Sequence, residues 1–396
     1  MNTPLFCLIV AGLALVANAS ATEAADASKP SDPGEFSIPW VLPLNADERR
    51  QLQALVDQDP QAAAIAEHTR RLAEPLLGTP ATPLEVIHYE GLVNTDPRRV
   101  ETVKSLRQMG DAGWVLRHWQ ATEDPAAADT LRDWIAAWAT TYRFTGNDVN
   151  ENKFVPLLVA YVDLREGFNP EDQQAADTLF RQLGEHHARR ARESQYLTNR
   201  FAKHLRIAAL AGLALDEPGW LDAARDGVSR FVRESLRPDG SSFDLEHRDT
   251  LTYHGSALKP MIELSILFDR DTDLDPDSDS DSGSQPLYFF EGPGGASIAK
   301  SVEFVVPYAT GAKTREEWKN SEVELDRQRA EAGLEYFQPG KLYDPKQAAE
   351  LLELAAYYRP DLVPLVVQLT DAPDKQTTYP TWLILNHTAL REARAE

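Results

Sequence analysis

The stretch Phe243 to Met261 (FDLEHRDTLTYHGSALKPM) places His247, Arg248, Tyr253 and His254 within eight positions. A phenol and two imidazoles can move protons, and an adjacent guanidinium can neutralise a carboxylate. The same residues also read as a surface loop whose Arg248 pairs with Glu246 or Asp249. A second group, Thr198 to His204 (TNRFAKH), opens a helical pattern. Asn199 and Lys203 share a face there by i, i+4 spacing, with Arg200 and His204 at its edges. Asn199 could equally cap that helix. A third group, Gly146 to Lys153 (GNDVNENK), holds Asn150, but every residue in it is a good turn or cap former. A fourth, His88-Tyr89-Glu90-Gly91, is a polar loop by composition. The pair His186-His187 lies in a charged run (EHHARRARE) and reads as a solvated helix face, because helical metal ligands need i, i+4 or similar spacing.

The elements that must position these groups are helical. Apolar residues recur at helical spacing over about 99–121, 126–142, 152–167, 171–193, 199–215, 218–236, 257–268, 296–308, 314–333, 346–357 and 360–370. Turn signals separate them, among them Glu123-Asp124-Pro125, Asn169-Pro170 and Pro238-Asp239-Gly240. Period-two alternation is scarce. The pattern is an all-α chain of ten or more antiparallel helices, and a bundle, a superhelix and a closed ring of hairpins all satisfy it. An acidic low-complexity stretch, Asp271 to Gln285, reads as a solvated insertion; it lacks the glycine and terminal glutamate of an EF-hand loop.

Across 396 residues, 62 Asp and Glu outnumber 40 Lys and Arg, for a formal net charge of −22. That balance argues against a general nucleic-acid binder or a polybasic membrane-surface protein. It leaves room for an anionic ligand at a local basic cluster. Residues 5–17 (LFCLIVAGLALVA), followed by Ala19-Ser20-Ala21, read as a signal peptide over 1–21, which implies a periplasmic or secreted protein. Residues 22–48 follow as a tail and lead-in, and 49–396 as one domain. The single cysteine, Cys7, lies in the leader, so thiol chemistry and disulfides are excluded from the mature chain. No G-x-S-x-G, H-E-x-x-H or G-x-x-x-x-G-K-[ST] motif is present.

Several of these pieces resemble the alginate lyase superfamily of polysaccharide lyases. Thr250-Leu251-Thr252-Tyr253-His254, followed by Ala257-Leu258, is similar to that family's A-L-x-Y-H segment. Thr198-Asn199-Arg200 matches its Asn-Asn-His triplet. Asp148 to Lys153 matches a P-I-N-E-x-K-type turn, and Val306-Pro307-Tyr308 with Gly311 looks closest to the family thirty-eight type. The pieces occur in family order between about residues 83 and 370. One departs from the pattern: Arg200 stands where family five enzymes carry the triplet histidine.

The resemblance implies an incomplete (α/α) toroid and a lyase that cleaves a polyuronate of alginate or glucuronan type by β-elimination, without a metal or other cofactor. The carboxylate is neutralised, the proton at C5 is removed, and the glycosidic oxygen leaves with a proton. Tyr253 is the expected proton-transfer residue and Asn199 the carboxylate neutraliser. Arg248 is expected to polarise Tyr253 or bind the uronate, with His254 as a further base. Asn150, Lys203, His204, Arg200, His88 and Tyr89 are the expected substrate contacts. The expected partner is an anionic polysaccharide, not a nucleic acid or a membrane. Two other readings stay open: a carbohydrate-binding or periplasmic scaffold protein without chemistry, and a glycoside hydrolase using carboxylates drawn from Glu90, Glu151 and Asp244.

Overall fold

The computed structural model describes residues 38–90, 92, 96–270, 285–372 and 375–394. The leader, most of the tail and the acidic stretch 271–284 lie outside them. The described chain is all-α, in helices α1 (Ala46–Gln58), α2 (Pro60–Ala73), α3 (Pro97–Thr122), α4 (Pro125–Thr141), α5 (Asp148–Glu151), α6 (Val155–Leu164), α7 (Pro170–Glu193) and α8 (Asn199–Leu215). They continue as α9 (Pro218–Glu234), α10 (Phe243–Arg248), α11 (Leu251–Arg270), α12 (Ile298–Ala309), α13 (Glu324–Glu331), α14 (Ala349–Ala355), α15 (Val363–Leu369) and α16 (Trp382–Ala393). Two residue pairs form a minimal antiparallel sheet, β1 (Glu316–Glu317) against β2 (Lys341–Leu342).

The helix starts follow ordinary capping chemistry. Asn45, Asp59, Asp96, Asp124 and Asn169 each accept an amide of the first turn through a side-chain oxygen, and proline stands in the first turn after four of them. The turn Pro238-Asp239-Gly240 reverses the chain between α9 and α10. Gly240 sits at φ +92°, and an added Cβ would lie 2.7 Å from the Lys300 carbonyl oxygen, so no other residue fits without a shift.

Helices α1, α3, α6, α8, α11, α14 and α16 pack in a circuit, each against the next, and α16 returns to α1. Helices α2, α4, α7, α9, α12 and α15 flank this circuit, each packed on one or more of its members. The result is a toroid of helical hairpins. Two hydrophobic clusters fill it, one within residues 41–215 and the other mainly from residues 191–390 with α1 and α2 joining it, and α8 is the wall between them. Phe201, Ala202, Leu205 and Ala209 of α8 face one cluster; Ile207, Leu210, Ala211 and Ala214 face the other. A helix apolar on both sides belongs in the interior, and α8 runs through the middle of the molecule with only its first turns reaching a polar rim.

Two sequence expectations differ from the structure. The pattern over 314–333 yields a helix only at Glu324–Glu331; residues 316–322 leave the helical path to grip the α10–α11 turn, where the Trp318 and Glu322 amides donate to the Asp249 and His247 carbonyls, both at 2.9 Å. The second difference matters more for function. Helix α11 begins at Leu251, six residues before the expected start, so Tyr253 stands in a first helical turn and not in a loop. Glu317 makes that start possible: its Oε1 accepts the Leu251 amide at 2.6 Å and the Thr250 hydroxyl at 3.0 Å. Among the described residues no helix is long and apolar enough to cross a membrane.

Candidate active site

Four members of the inner circuit, α3, α6, α8 and α11, bring their N-terminal ends to one rim. The residues at or just before those ends are bonded to one another. The Asn150 Oδ1, just before α6, accepts the Glu90 amide at 3.1 Å, and its Nδ2 donates to the Ile87 carbonyl at 2.9 Å. Glu90 in turn pairs with Arg200 of α8 at 2.9 Å and accepts from Asn147 Nδ2 at 3.0 Å. Asn199 opens α8; its amide donates to Asp244 Oδ2 at 2.6 Å, and its Nδ2 lies 3.5 Å from Ser256 Oγ on α11. Ser256 is three residues, and hence about one helical turn, from Tyr253. Arg248 lies flat over the Tyr253 ring, its guanidinium carbon 3.3 Å from the ring centroid. Asn199 is thus bonded to Asp244, on the same short helix as Arg248, and to Ser256, on the same helix as Tyr253. Helix N-termini carry partial positive charge and favour an anion, and two of these already hold a protein carboxylate, Asp244 at α8 and Glu317 at α11.

The neighbours of this trio are distant in sequence. Asp326 of α13 holds Arg248 with both carboxylate oxygens, Nε to Oδ2 at 2.9 Å and Nη2 to Oδ1. Ser321 Oγ donates to the same Asp326 at 3.0 Å. The Trp318 ring meets Tyr253 edge-on at 5.9 Å, and Tyr336 and Phe337 stand behind Trp318. Trp318 adopts φ +64° while almost fully buried, a backbone state that a bulky residue takes only when its surroundings impose it. The Arg248 charge is committed to Asp326 and to the ring face. It therefore orients the Tyr253 ring and is less available to grip a uronate directly. Asp244 is 1% exposed, and burial pushes its carboxyl up to about 7, against the opposing pull of the Asn199 amide and of Arg248, His247 and Lys203.

The expected site residues divide. Tyr253, Arg248, Asn199, Arg200 and Asn150 belong to the one network, and Lys203 stands one turn beyond Asn199 on α8. Tyr89 is buried, sandwiched between the Arg99 guanidinium at 4.2 Å and the Lys153 ammonium at 4.6 Å, which makes it a pillar under the rim. His88 is exposed beside it. His254 is not placed to act on a substrate. It is fully buried, with Nδ1 at 2.7 Å from Ser242 Oγ and Nε2 at 3.2 Å from the Ser301 carbonyl, and burial pushes its pKa down to about 4. One helical step from Tyr253 turns a side chain by about 100°, so consecutive residues cannot both face the rim.

His204 is likewise interior, 3% exposed, with Nδ1 at 2.7 Å from His187 Nδ1 and Nε2 at 3.4 Å from Asp148. His186 Nε2 meets the other oxygen of Asp148 at 2.9 Å. The expected solvated face at His186-His187 is thus a buried joint between α7, α8 and the start of α5. Burial alone would raise the Asp148 pKa, but its hydrogen bonds from His204 and His186 hold it below the usual carboxylate range. The three hydrolase candidates do not face one another across a cleft. Glu151 is wholly buried and accepts the Thr145 and Gly146 amides at 2.9 and 2.8 Å, Asp244 caps α8, and Glu90 is paired with Arg200.

Sequence reasoning missed Asp326, Trp318, Asp244 as the tether of Asn199, and Glu90 as the partner of Arg200. Only Asp244 and Glu90 carried a local signal, since each lies in a segment already rich in polar groups.

The sequence matches the Alginate lyase family over residues 45–318, a span that contains α1 to α12 and every member of the trio. The fold is similar to the crystal structure of an alginate lyase from Bacteroides ovatus, with a TM-score of 0.55 at 14% identity, covering 85% of this chain and 97% of that one. No curated protein matches the sequence. The chain belongs to the alginate lyase family.

Proposed function

We propose that this protein is a polysaccharide lyase that cleaves a polyuronate, of alginate or glucuronan type, by β-elimination. The observation that carries the reading is the meeting of Tyr253, Arg248 and Asn199 at the shared N-terminal rim of the inner helices. The Asn199 amide group, the helix ends and the rim cations Arg200 and Lys203 neutralise the uronate carboxylate, which lowers the cost of charge developing there as the C5 proton leaves. Tyr253 moves the proton. Held under Arg248, Tyr253 takes the C5 proton as its phenolate, and the resulting hydroxyl then protonates the departing glycosidic oxygen. The bond between C4 and that oxygen breaks as the C4–C5 double bond forms. No second base is needed, which suits a site with Arg200 at the expected histidine position and both nearby histidines buried.

One observation favours the scaffold reading instead. Arg200 is paired with Glu90, so part of the rim charge is already neutralised. A panel of mannuronate, guluronate and glucuronate polymers, followed by absorbance of the unsaturated uronate, separates the two. A lyase generates the band with at least one polymer, whereas a scaffold binds without generating it. The leader-like segment supports a periplasmic or secreted location, and N-terminal sequencing of the mature protein tests that part.

A further inference from the structure

Tyr196, in the loop between α7 and α8, is 69% exposed, the most exposed large hydrophobic side chain among the described residues. The loop that carries it is tied down. The Ser194 carbonyl accepts from Arg230 Nη2 at 3.0 Å, the Ser194 hydroxyl donates to the Arg190 carbonyl at 2.7 Å, and Leu197 is buried. The ring is therefore held in water by its own anchored backbone, and single exposed apolar groups of that kind need no explanation by themselves.

What distinguishes Tyr196 is what stands beside it. Its ring stacks on Phe243 at 5.9 Å and 18°, and Phe243 stacks on His247 at 5.3 Å and 19°. Three nearly parallel rings from two segments form a ledge with Tyr196 at its outer end. Each ring is close in sequence to a group of the candidate site. Tyr196 is three residues from Asn199, at most about 10 Å of extended chain. Phe243 precedes Asp244, which holds the Asn199 amide, and His247 precedes Arg248. The surroundings are polar: Glu322 meets His247 at 2.9 Å, and Arg237 pairs with the exposed Glu246 at 2.7 Å. A lone aromatic face in a charged setting suits a ligand that is apolar on one side and polar around its edge.

A pyranose ring has that character, with axial C–H bonds on one face and hydroxyls around the rim. A tyrosine offers it a rigid, amphipathic surface at low entropic cost. We propose that Tyr196, backed by Phe243 and His247, is a subsite that stacks a sugar unit of the polysaccharide away from the bond being cut. The proposal rests on the lyase reading for the identity of the polymer. The contact is with C–H groups, so the affinity it adds is insensitive to salt, unlike that of the cationic rim.

The experiment uses alginate oligosaccharides graded from disaccharide to octasaccharide, titrated calorimetrically into Tyr253→Phe and into the same protein carrying Tyr196→Ala. The expected result is about ten-fold weaker binding of the longer oligosaccharides, the scale of one aromatic stacking contact, with the disaccharide nearly unaffected. Tyr196→Phe, which keeps the ring, restores affinity. Equal loss at every length, no loss at any length, or failure of Tyr196→Phe to restore overturns the ledge. Retardation of the otherwise wild-type protein in native gels containing alginate reads binding apart from catalysis. Retardation that Tyr196→Ala relieves, without any unsaturated product, sinks the lyase reading and keeps the ledge. Normal product formation with retardation and KM unchanged by Tyr196→Ala does the reverse.

Discussion

At the rim, Arg248 and Asp326 form an ion pair beside a half-buried Tyr253. Inside the ring, Arg206 of α8 and Glu263 of α11 approach to 2.8 Å, and Arg270 of α11 meets Glu48 of α1 at 3.3 Å. Both regions join inner helices through charges, yet they differ in what surrounds the charge. The rim pair is as buried as the interior pairs, but it lies against the face of Tyr253, a ring that is itself partly open to solvent. The interior pairs are nearly solvent-free, and the Arg206–Glu263 contact lies too far off axis to be a hydrogen bond. A cavity of about 10 Å³ adjoins it, roughly the room of one water. The comparison teaches that polar residue types do not mark chemistry by themselves. A group can act only where a substrate can reach it and where its partners leave one face free; elsewhere the same group fixes the register of helices.

The sharpest break between the two regions is Tyr253→Phe. The change removes one hydroxyl and keeps the ring under Arg248, so the thermal midpoint stays close to that of the wild type. Turnover on the best polyuronate should fall about 10²- to 10⁴-fold, the span of a positioned acid or base. KM should move little, since the hydroxyl acts in the transition state. Retention of full turnover would remove Tyr253 from the chemistry.

The interior responds the other way. Glu263→Ala leaves Arg206 charged in a dry setting and should cost about 3–5 kcal/mol of stability, measured by urea denaturation. Enzyme that remains folded should keep its turnover, because nothing at the rim is bonded to Glu263. A large loss of turnover in the folded fraction would show that the ring interior is part of the catalytic machinery and would erase the distinction.

Helix α8 was legible from its apolar spacing down to its ends, and the segment that carries Tyr253 and Arg248 was legible as a dense polar run, although not as the start of a helix. Local pattern is enough for both, because burial on two faces and a dense polar run are properties of neighbouring residues. Two readings failed for a shared reason. His186-His187 looked solvated because the residues around it are charged, but α8 covers His187, and Phe144 and Asp148 cover His186. Residues 314–333 looked helical throughout because the spacing allowed it, but the Trp318 and Glu322 amides are satisfied on the α10–α11 turn, and only Glu324–Glu331 is helical. Asp326, 78 residues from the arginine it holds, has no local signal at all. Contacts across the toroid decide these positions, and a single sequence does not display them.

A smaller test uses pH. Asp163 of α6 is half-buried; its Oδ2 accepts from Gln120 at 2.9 Å and its Oδ1 accepts the Leu44 amide at 3.1 Å. Burial pushes its carboxyl up to about 7, against about 3.9 in the unfolded chain. Between those values the folded state holds the proton more tightly than the unfolded state does. The contribution of Asp163 to stability therefore falls as pH rises from about 4 to about 7 and is flat above. Asp163→Asn should shrink the difference in unfolding free energy between pH 5 and pH 8. An unchanged difference would place the titration on other groups.

The smallest expected effect returns to the rim. Arg200 and Glu90 are paired at 2.9 Å with both side chains substantially exposed, 56% and 38%, so the pair adds little stability. Its weight is in competition. A uronate carboxylate arriving at the rim must draw Arg200 away from Glu90 or share it. Glu90→Gln keeps the size of the side chain and an oxygen for Asn147, but removes the competing charge. Binding of an alginate oligosaccharide should therefore tighten, by at most about five-fold, the equivalent of about 1 kcal/mol for an exposed charge contact. The gain should be largest at low ionic strength and should vanish near 1 M salt, where the Debye length shrinks to about 3 Å. Arg200→Ala should weaken binding over the same range of salt, and the double variant should show whether the two changes are coupled. Weaker binding in Glu90→Gln at low salt would mean that Glu90 itself contacts the sugar, and Arg200 would then be a positioning partner of that carboxylate and not a ligand of the substrate.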